Sequence, residues 1–346
     1  MELPKYTDTD SFEPQPERYR RIDELNKHSF LMTEGSSLRV IQSLHSVGLP
    51  RDVLSSEYKN TNDPATAHGL IGKRAILNGN MSPLNGYGPS ELSLEQRIED
   101  AKKNIHTFLH RQEIDPADVR ILRPERDYTT PLGVVNLDET ALTPDDTGIF
   151  RPDKAGDLMY TYNPELILAA RPADCPIVYV EAKTPKGIVT VLLHLAWKGV
   201  AHGYIQQAKN ELDALEIDWS TAQVQITAGG HAETYTFEDF DDFDPNTAFP
   251  ESAAMFVGVQ EYISDTEKKK GKKVYRFGMD VANEVYTQIM NSWDVEAYSV
   301  FADTTDTTAP ESGYSSHSRS FRNYEIDGEN TRDLFLAKRE VQSPNL

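Results

Sequence analysis

One cysteine and one histidine have the residue types and the spacing to do chemistry together. Cys175 is the chain's single cysteine, and His194 follows it after an apolar stretch. One cysteine cannot form an intramolecular disulfide, so Cys175 is either a small buried apolar residue or a working thiol. A thiolate and an imidazole together suit zinc, whose catalytic sites use three protein ligands and keep a place for water or substrate. The alternatives are an inert buried thiol and a hydrogen-bonded core histidine.

The segment between these two residues has the pattern of an antiparallel hairpin. Apolar runs at 176–182 and 188–196 flank Thr184-Pro185-Lys186-Gly187, where proline second and glycine fourth suit a type I turn. If Thr184 pairs with Gly187, Ile177 faces His194. Cys175 is then the diagonal neighbour of His194 on the same face, about 7–8 Å away between backbones. A slip of one residue in register would put them on opposite faces.

The residues next to this pair could also take part in the chemistry. Asp174 precedes the thiol, and Trp197-Lys198-Gly199 follows the histidine where the strand pattern gives way to a helical one. Strand-to-helix turns in α/β proteins collect ligand sites, and a helix N-terminus favours an anion. We therefore expect this turn to lie at the site.

The elements that must position these residues follow from hydrophobic periodicity. Helices are predicted at 92–112, 200–215 and 279–291, and strands at 119–123, 166–171, 176–182, 188–196 and 224–227. Strands that alternate with helices predict an α/β fold, and the length of the chain allows one large domain or two smaller ones. The polar residues 1–65 are predicted to be an N-terminal extension around one possible helix from Ser37 to Val47.

Composition excludes several classes of protein. The 346 residues include 55 acidic and 35 basic side chains, for a formal charge of −20. Such a charge repels phosphate backbones and anionic headgroups, which argues against a general nucleic-acid or membrane-surface role. No run approaches the roughly 18 apolar residues of a membrane helix, and the N-terminus lacks the order of a signal peptide. We expect a soluble, cytoplasmic protein that acts on a small molecule.

A run in the middle of the chain resembles the signature of a known family, and the resemblance covers roughly residues 67–340. The run GDLMYTYNPELILAARPADCPIVYVEAKTPKGIVTVLLHLAWKGVAHG is similar to the signature of the YfiH/laccase-domain family, also called DUF152 or the multicopper polyphenol oxidase family. That signature has a T-A-D-C-x-P strand followed by H-A-G-W-[RK]-G, matched here by residues 172–176 and 194–199. Softer matches, over residues 67–340, are Ser82 and Asn85 with Lys73 or Arg74, Asp280 with Asn283, and Ser316, His317, Arg319 and Arg332.

The chain departs from the family pattern at the first metal ligand. The family has a histidine in Q-V-H-G, whereas the corresponding stretch here, ILRPERDYTT, has Glu125. A carboxylate can ligate zinc, so the resemblance implies a zinc site of Glu125, Cys175 and His194. The family's I-G-P-C-C-Y-E-V run is matched only by ITAGGHAETYTF, and its late C-T pair by the Thr-rich residues 302–308. Nine scattered histidines do not supply a copper set.

The resemblance also implies a fold and a function. Members of the family have a single α/β domain with mixed β-sheets flanked by helices, which implies one such domain over residues 66–340 here. They carry out phosphorolysis of adenosine, inosine, guanosine and methylthioadenosine, with adenosine deamination in addition, beside the older laccase label and a link to peptidoglycan precursors. Carried over, Cys175, His194 and Asp174 would be catalytic, with Asp174 orienting a ligand or shuttling a proton. The residues that would bind substrate and phosphate are Arg74, Lys198, Ser316 and Arg319.

Two other functions fit the same residues. One is an amidase that acts on a peptidoglycan precursor, with Cys175 as nucleophile and His194 as base. The other is a non-catalytic descendant that kept the fold, lost the metal, and binds a partner through its N-terminal extension and the acidic residues 238–244. Glu125 is the feature that separates a working zinc site from a decayed one.

Overall fold

The computed structural model of the chain shows an α/β architecture. It describes residues 20–23, 28–31, 38–43, 94–124, 131–231, 236–238, 259–262, 274–278, 280–305, 307 and 334–339. Every structural statement below concerns this described part of the chain.

The bounds of the elements are as follows. The strands are β1 Arg20–Asp23, β2 His28–Leu31, β3 Leu38–Ser43, β4 Val119–Ile121, β5 Val134–Asn136, β6 Leu142–Pro144, β7 Phe150–Pro152, β8 Leu158–Thr161, β9 Ile167–Ala170, β10 Ile177–Thr184, β11 Gly187–His194, β12 Asp218–Ile226, β13 Thr236–Glu238, β14 Val259–Tyr262, β15 Val274–Gly278, β16 Val300–Ala302 and β17 Phe335–Arg339. The helices are α1 Leu94–Arg111, α2 Trp197–Ala201, α3 Tyr204–Ala214 and α4 Val281–Ser292.

The described strands form three sheets. One has eight strands in the order β1-β2-β3-β17-β9-β4-β7-β6, one has six in the order β16-β12-β10-β11-β8-β5, and β13-β15-β14 form a small third sheet. Both large sheets are mixed, since β4 pairs with β9 and β12 with β16 in parallel, while β17 with β3 and β10 with β11 are antiparallel. The predicted α/β fold with mixed sheets is thus confirmed.

The two large sheets pack face to face. Alternate residues of β10 and β11, such as Tyr179 and Leu192, join Leu168 and Phe335 of the eight-stranded sheet in one buried cluster. Polar contacts cross the same interface, because the Gln225 amide donates to the carbonyl of Leu38 over 2.9 Å. Strands that are buried on both faces are expected to appear as continuous apolar runs, and the runs of β10 and β11 have this character.

Helices cover the outer face of each large sheet. Buried residues of α3 and α4, including Tyr204 and Val285, pack on the other face of β10 and β11. Helix α1 places Ala101, Ile105 and Leu109 at helical spacing, and Ile105 and Leu109 pack on the outer face of the eight-stranded sheet. The described core therefore has four layers, with the two sheets between two layers of helix.

Two sequence predictions about helices are wrong. Residues 38–43, inside the predicted helix from Ser37 to Val47, form β3, which lies between β2 and β17. Val40 and Ile41 are buried on opposite faces of this strand, so pairing on both edges prevailed over the helical spacing of Leu38 and Ile41. The helix predicted at 200–215 is instead two helices, α2 and α3, because Gly203 between them has φ of 74°.

The other predicted elements lie close to their expected positions. Helix α1 and helix α4 are confirmed within two residues at each end, and β12 begins at Asp218, earlier than the predicted 224. Strands β1 to β3 come from the polar N-terminal 65 residues and pair into the eight-stranded sheet. None of the described helices is both long and apolar enough to cross a membrane.

Tyr179 offers a prediction about the interface between the sheets. Its ring is fully buried, and its hydroxyl has no hydrogen-bond partner among the described residues. Burial also raises its pKa well above the ordinary value. Since an unpaired buried hydroxyl costs about 1–3 kcal/mol, Tyr179→Phe should raise the free energy of unfolding by about 1 kcal/mol. Urea denaturation tests this, with the exposed Tyr298→Phe as control; a loss of stability would mean that the hydroxyl has a partner.

Candidate functional site

Residues whose side chains can take part in chemistry lie together at one edge of the six-stranded sheet, where its strands begin or end. The predicted hairpin register is confirmed, with Thr184 opposite Gly187 and Ile177 opposite His194. Leu193 pairs with Leu158 of β8, so Asp157, which precedes β8, comes beside His194. The start of β10 and the ends of β12 and β16 lie at this same edge, because Val178 pairs with Ile226 and Ile226 with Ala302.

The centre of this edge is a chain of three side chains. Nδ1 of His194 lies 2.7 Å from Oδ1 of Asp157, and the Cys175 side chain lies close enough to the imidazole to raise its pKa. Asp157 is fully buried, the His194 side chain is 12% exposed, and Cys175 is half-buried. The backbone holds the same contact, since the His194 amide donates to the Asp157 carbonyl over 2.8 Å. We call Cys175, His194 and Asp157 the site triad.

The surroundings of the triad shift the protonation of the imidazole. Burial alone would lower the pKa of His194, but hydrogen bonds to Asp157 and Cys175, and the charges of these groups, outweigh it and raise the pKa to about 10. Without a metal, His194 is therefore protonated at neutral pH and forms an ion pair with the buried carboxylate of Asp157. The second oxygen of that carboxylate, Oδ2, is buried with no hydrogen-bond partner among the described residues.

Asp174 lies next to the thiol but its carboxylate is turned into the protein. The residue is 2% exposed, and its Oδ1 accepts a 2.7 Å hydrogen bond from the hydroxyl of Thr307. The carbonyl of Asp174 accepts from the amide of Gly230 over 3.1 Å. Gly229 and Gly230, the two glycines of the stretch ITAGGHAETYTF, thus contact the site through the backbone of Asp174.

The residues after His194 form the predicted strand-to-helix turn. Trp197 begins α2, and the ammonium of Lys198 is exposed and lies 5.5 Å from the centre of the Trp197 ring. A Cβ on Gly199 would lie 2.7 Å from the buried ring of Tyr204, so glycine is required for α2 to approach α3. Lys198 is the candidate phosphate-binding residue that the structure describes, and it is an exposed cation four residues after His194 in the chain.

Helix α4 begins at the same edge. Its cap is Asp280, whose Oδ1 accepts from the Asn283 amide over 2.9 Å, as expected for the aspartate that opens the matched family helix. The Val281 amide donates to the carbonyl of Gly230, and Ala282 packs against Gly229. This helix therefore supports the loop that contacts Asp174.

Several predicted site residues lie outside the described residues. These are Glu125, Arg74, Ser316 and Arg319, so their placement stays a prediction. The described residues on either side of 125–130 are nevertheless at the site. The Gly156 amide donates to the carbonyl of Arg123, and the Asp157 amide donates to the carbonyl of Gly133.

Sequence reasoning missed two residues that contact the predicted ones. In the sequence, Asp157 lies between a glycine and a strand, where an aspartate often has a purely structural role. It comes beside His194 only because β8 pairs with β11. Thr307 lies in the Thr-rich stretch at 302–308 that replaces the family's C-T pair. The replacement of the C-T pair was the available sequence signal for a functional residue in this stretch, but it did not indicate that Thr307 contacts Asp174.

Fold and site together define an α/β protein with a cysteine, histidine and aspartate triad at the edge of a mixed sheet. Residues 92–326 match the family model described as multi-copper polyphenol oxidoreductase laccase, and the chain belongs to this family. The resemblance inferred from the sequence is therefore confirmed. Among functionally curated proteins, no relative matches the chain significantly.

Solved structures share the fold. The chain is similar to the hypothetical protein YfiH of Bacillus licheniformis, with 14% identity, a TM-score of 0.58, and coverage of 92% of this chain and 98% of that one. It is also similar to YlmD from Geobacillus stearothermophilus, with 15% identity, a TM-score of 0.55, and coverage of 90% and 96%. A third is the DUF152 protein NMB0706 of Neisseria meningitidis, with 17% identity, a TM-score of 0.54, and coverage of 90% and 99%.

The triad fits part of a zinc site. The described residues contain no group of three or more His, Cys, Asp or Glu side chains arranged to hold a metal ion. A thiol and an imidazole nitrogen are nevertheless two donors that zinc prefers, and Asp157 occupies the place of the carboxylate that commonly orients a metal-bound histidine. A third ligand would have to come from outside the described residues.

Proposed function

We propose that this chain is a zinc-dependent purine nucleoside phosphorylase that acts on adenosine, inosine or methylthioadenosine, with adenosine deamination as a second reaction at the same site. The observation that carries the proposal is the triad, in which the hairpin register brings the two signature residues Cys175 and His194 close together. Family membership supports the proposal, since the residues matching the family signature are those that converge.

Cys175, His194 and Glu125 would hold the zinc. When bound, such an ion lowers the pKa of coordinated water and polarises phosphate or carbonyl oxygen. Asp157 would fix the orientation and the tautomer of His194, because a carboxylate that accepts from Nδ1–H leaves the other ring nitrogen, Nε2, free to bind the metal. Lys198, together with Arg74, Ser316 and Arg319, would bind phosphate through charge-assisted hydrogen bonds.

The proposal is tested by chromatography of nucleoside reactions. Purified protein is incubated with adenosine and with inosine, with and without phosphate, beside Cys175→Ala. Release of free base that depends on phosphate and is lost in the variant would support phosphorolysis at this site. Conversion of adenosine to inosine without phosphate would support deamination. No turnover by folded protein would contradict the proposal and favour a non-catalytic binding protein.

Lys198 gives a prediction about phosphate. Because its ammonium is exposed on the turn that follows His194, Lys198→Ala should raise the KM for phosphate by about tenfold, equivalent to one charge-assisted hydrogen bond of about 1.4 kcal/mol. The matched control is Lys186→Ala, because that exposed lysine also lies over a ring, Tyr162, but at the other end of the hairpin. An equal KM in both variants would exclude Lys198 from phosphate binding.

Glu125 gives a prediction about zinc content. Zinc would be measured after dialysis in the wild type, Cys175→Ala and Glu125→Ala. The Cys175 variant should lose bound zinc, and the Glu125 variant should bind it at least about tenfold more weakly, because a three-ligand site loses one donor. Unchanged zinc in Glu125→Ala would contradict the three-ligand site. A gain of zinc in Glu125→His would indicate a decayed site.

The triad also favours a second candidate function. A thiol, an imidazole and a carboxylate in sequence can provide a nucleophile, its base and the group that orients the base. This arrangement suits an amidase acting on a peptidoglycan precursor, with Cys175 as the nucleophile. Iodoacetamide separates the two functions, since rapid labelling of Cys175 that zinc does not prevent would favour the nucleophile.

The same proposal covers location and partners. We place the protein in the cytoplasm with small-molecule partners, a purine nucleoside and phosphate, and with neither nucleic acid nor membrane as a partner. The formal charge of −20 supports this, because such a field repels polyanions.

A further inference from the structure

Asp174 has a backbone conformation that helix termination does not explain. The described residues other than glycine with positive φ are Glu113, Asp174 and Glu216. Glu113 and Glu216 are exposed and follow the ends of α1 and α3, where a left-handed residue commonly ends a helix. Asp174 is buried, lies between β9 and β10, and has φ of 68°. This conformation costs about 1 kcal/mol or more, so neighbouring groups must hold it.

Two loops hold Asp174 from one side. The hydroxyl of Thr307, in the loop after β16, donates to the Asp174 carboxylate, and the amide of Gly230, in the loop after β12, donates to its carbonyl. The two loops are also joined to each other, because the Thr307 amide donates to the carbonyl of Gly229 over 3.0 Å. Asp174 and Thr307 are each 2% exposed, so this contact is closed to water.

The residue on the other side of Cys175 is anchored as well. The carbonyl of Pro176 accepts a 3.1 Å hydrogen bond from the amide of Leu195, which follows His194 in the chain. Proline fixes its own φ, and it restricts the residue before it to extended conformations. Cys175 is therefore held between Asp174 and Pro176, and the turn at Asp174 determines how the thiol meets the imidazole.

We infer that Asp174 and Thr307 are positioning residues for Cys175. The carboxylate of Asp174 acts as a hydrogen-bond acceptor that locks the left-handed turn, and the thiol is thereby fixed against His194. This assignment differs from a proton shuttle, which would need the carboxylate to ionise and to reach the reaction. Only the catalytic consequence rests on the proposed function, because the position of the thiol can be measured without any substrate.

The test uses the fact that Cys175 is the single cysteine, so iodoacetamide reports on this thiol alone. Rates of alkylation are measured for the wild type, Thr307→Val, Thr307→Ser and His194→Gln. The His194 variant gives the rate of a thiol without the imidazole. We expect the alkylation rate of Thr307→Val to shift towards that of His194→Gln. The rate of Thr307→Ser, which keeps the hydroxyl, should equal the wild-type rate. The kcat of Thr307→Val should fall by about tenfold with KM unchanged, as for an orienting residue.

The matched control is Thr161→Val. Thr161 is also buried, and its hydroxyl also donates to an aspartate, Asp138, but at the opposite end of β8 from the site. Both valine variants should therefore lose similar thermal stability. If Thr307→Val loses stability but keeps the wild-type alkylation rate, the contact is only structural and the inference is overturned. It is equally overturned if His194→Gln and the wild type are alkylated at the same rate.

Variants of Asp174 separate positioning from proton transfer. Asp174→Asn keeps an acceptor and tolerates positive φ, so positioning predicts the wild-type rate of alkylation and retained kcat, whereas a shuttle predicts loss of kcat. Asp174→Gly removes the strain but also the acceptor, so it should fold and still behave like Thr307→Val. If wild-type protein turns over no nucleoside but the alkylation rates shift as expected, the proposed function fails while the positioning role stands.

Discussion

Replacing His194 with leucine is expected to destabilise the metal-free protein by about 3–5 kcal/mol, because it leaves the buried carboxylate of Asp157 without its charged partner. The contact is 2.7 Å long, and the other oxygen of Asp157 has no hydrogen-bond partner among the described residues. Among the described residues, the imidazole is the group that hydrogen-bonds this carboxylate. Urea denaturation in the presence of a chelator measures the loss.

A double-mutant cycle shows whether the charge is the cause. Asp157→Leu combined with His194→Leu should recover most of the loss, since replacing a whole buried ion pair with apolar residues is often close to neutral. The control is Asp294→Asn, which removes a 73%-exposed partner of Lys209 and should cost less than about 1 kcal/mol. A double variant as unstable as His194→Leu would show that packing of the ring, not its charge, matters.

The stability of the metal-free protein should also depend on His194 in a defined pH window. The folded-state pKa of about 10 lies above the ordinary value of 6.5. The ion pair therefore contributes its full stabilisation below about pH 6.5, and the contribution is lost as the pH rises through about 10. We expect the difference in unfolding free energy between the wild type and His194→Gln to fall by several kcal/mol across this window.

The difference between the two proteins is the quantity to measure. Tyrosines and lysines also titrate at alkaline pH, but they are common to both chains and cancel in the comparison. A difference that stays constant from pH 6 to 10 would contradict a raised pKa for His194. Zinc binding provides a second measurement, because the imidazole must lose its proton to ligate, so affinity should rise over the same window.

The proximity of Cys175 and His194 could be predicted because it depends on one local hairpin. Pro185 and Gly187 define a tight turn, and a tight turn fixes the register of the whole hairpin up to His194. Asp157 could not be predicted in the same way. It reaches His194 because β8 is the next strand beside β11, and the order of strands in a sheet is set by packing between distant segments.

The fold shows the same division between local and distant causes. Helix α1 was predictable from Ile105 and Leu109, which recur on one face and bury it. In contrast, Leu38 and Ile41 have helical spacing, yet this segment is a strand because β2 and β17 supply pairing on both sides. The sequence of a segment does not by itself determine which strands will be its neighbours, so its own pattern cannot always predict its structure.

The pairing of β3 with β17 has a consequence for how the chain is made. Val40 lies opposite Ala337, so β3 must wait for β17, which is synthesised after every other described strand. The nascent chain can complete the six-stranded sheet once residue 302 has left the ribosome, whereas the eight-stranded sheet still lacks β17. During that interval the apolar residues of β3 and β9 lack a neighbour, and long-range strand pairing is slow. The emerging chain is therefore prone to mispairing along these two strands until β17 has been synthesised.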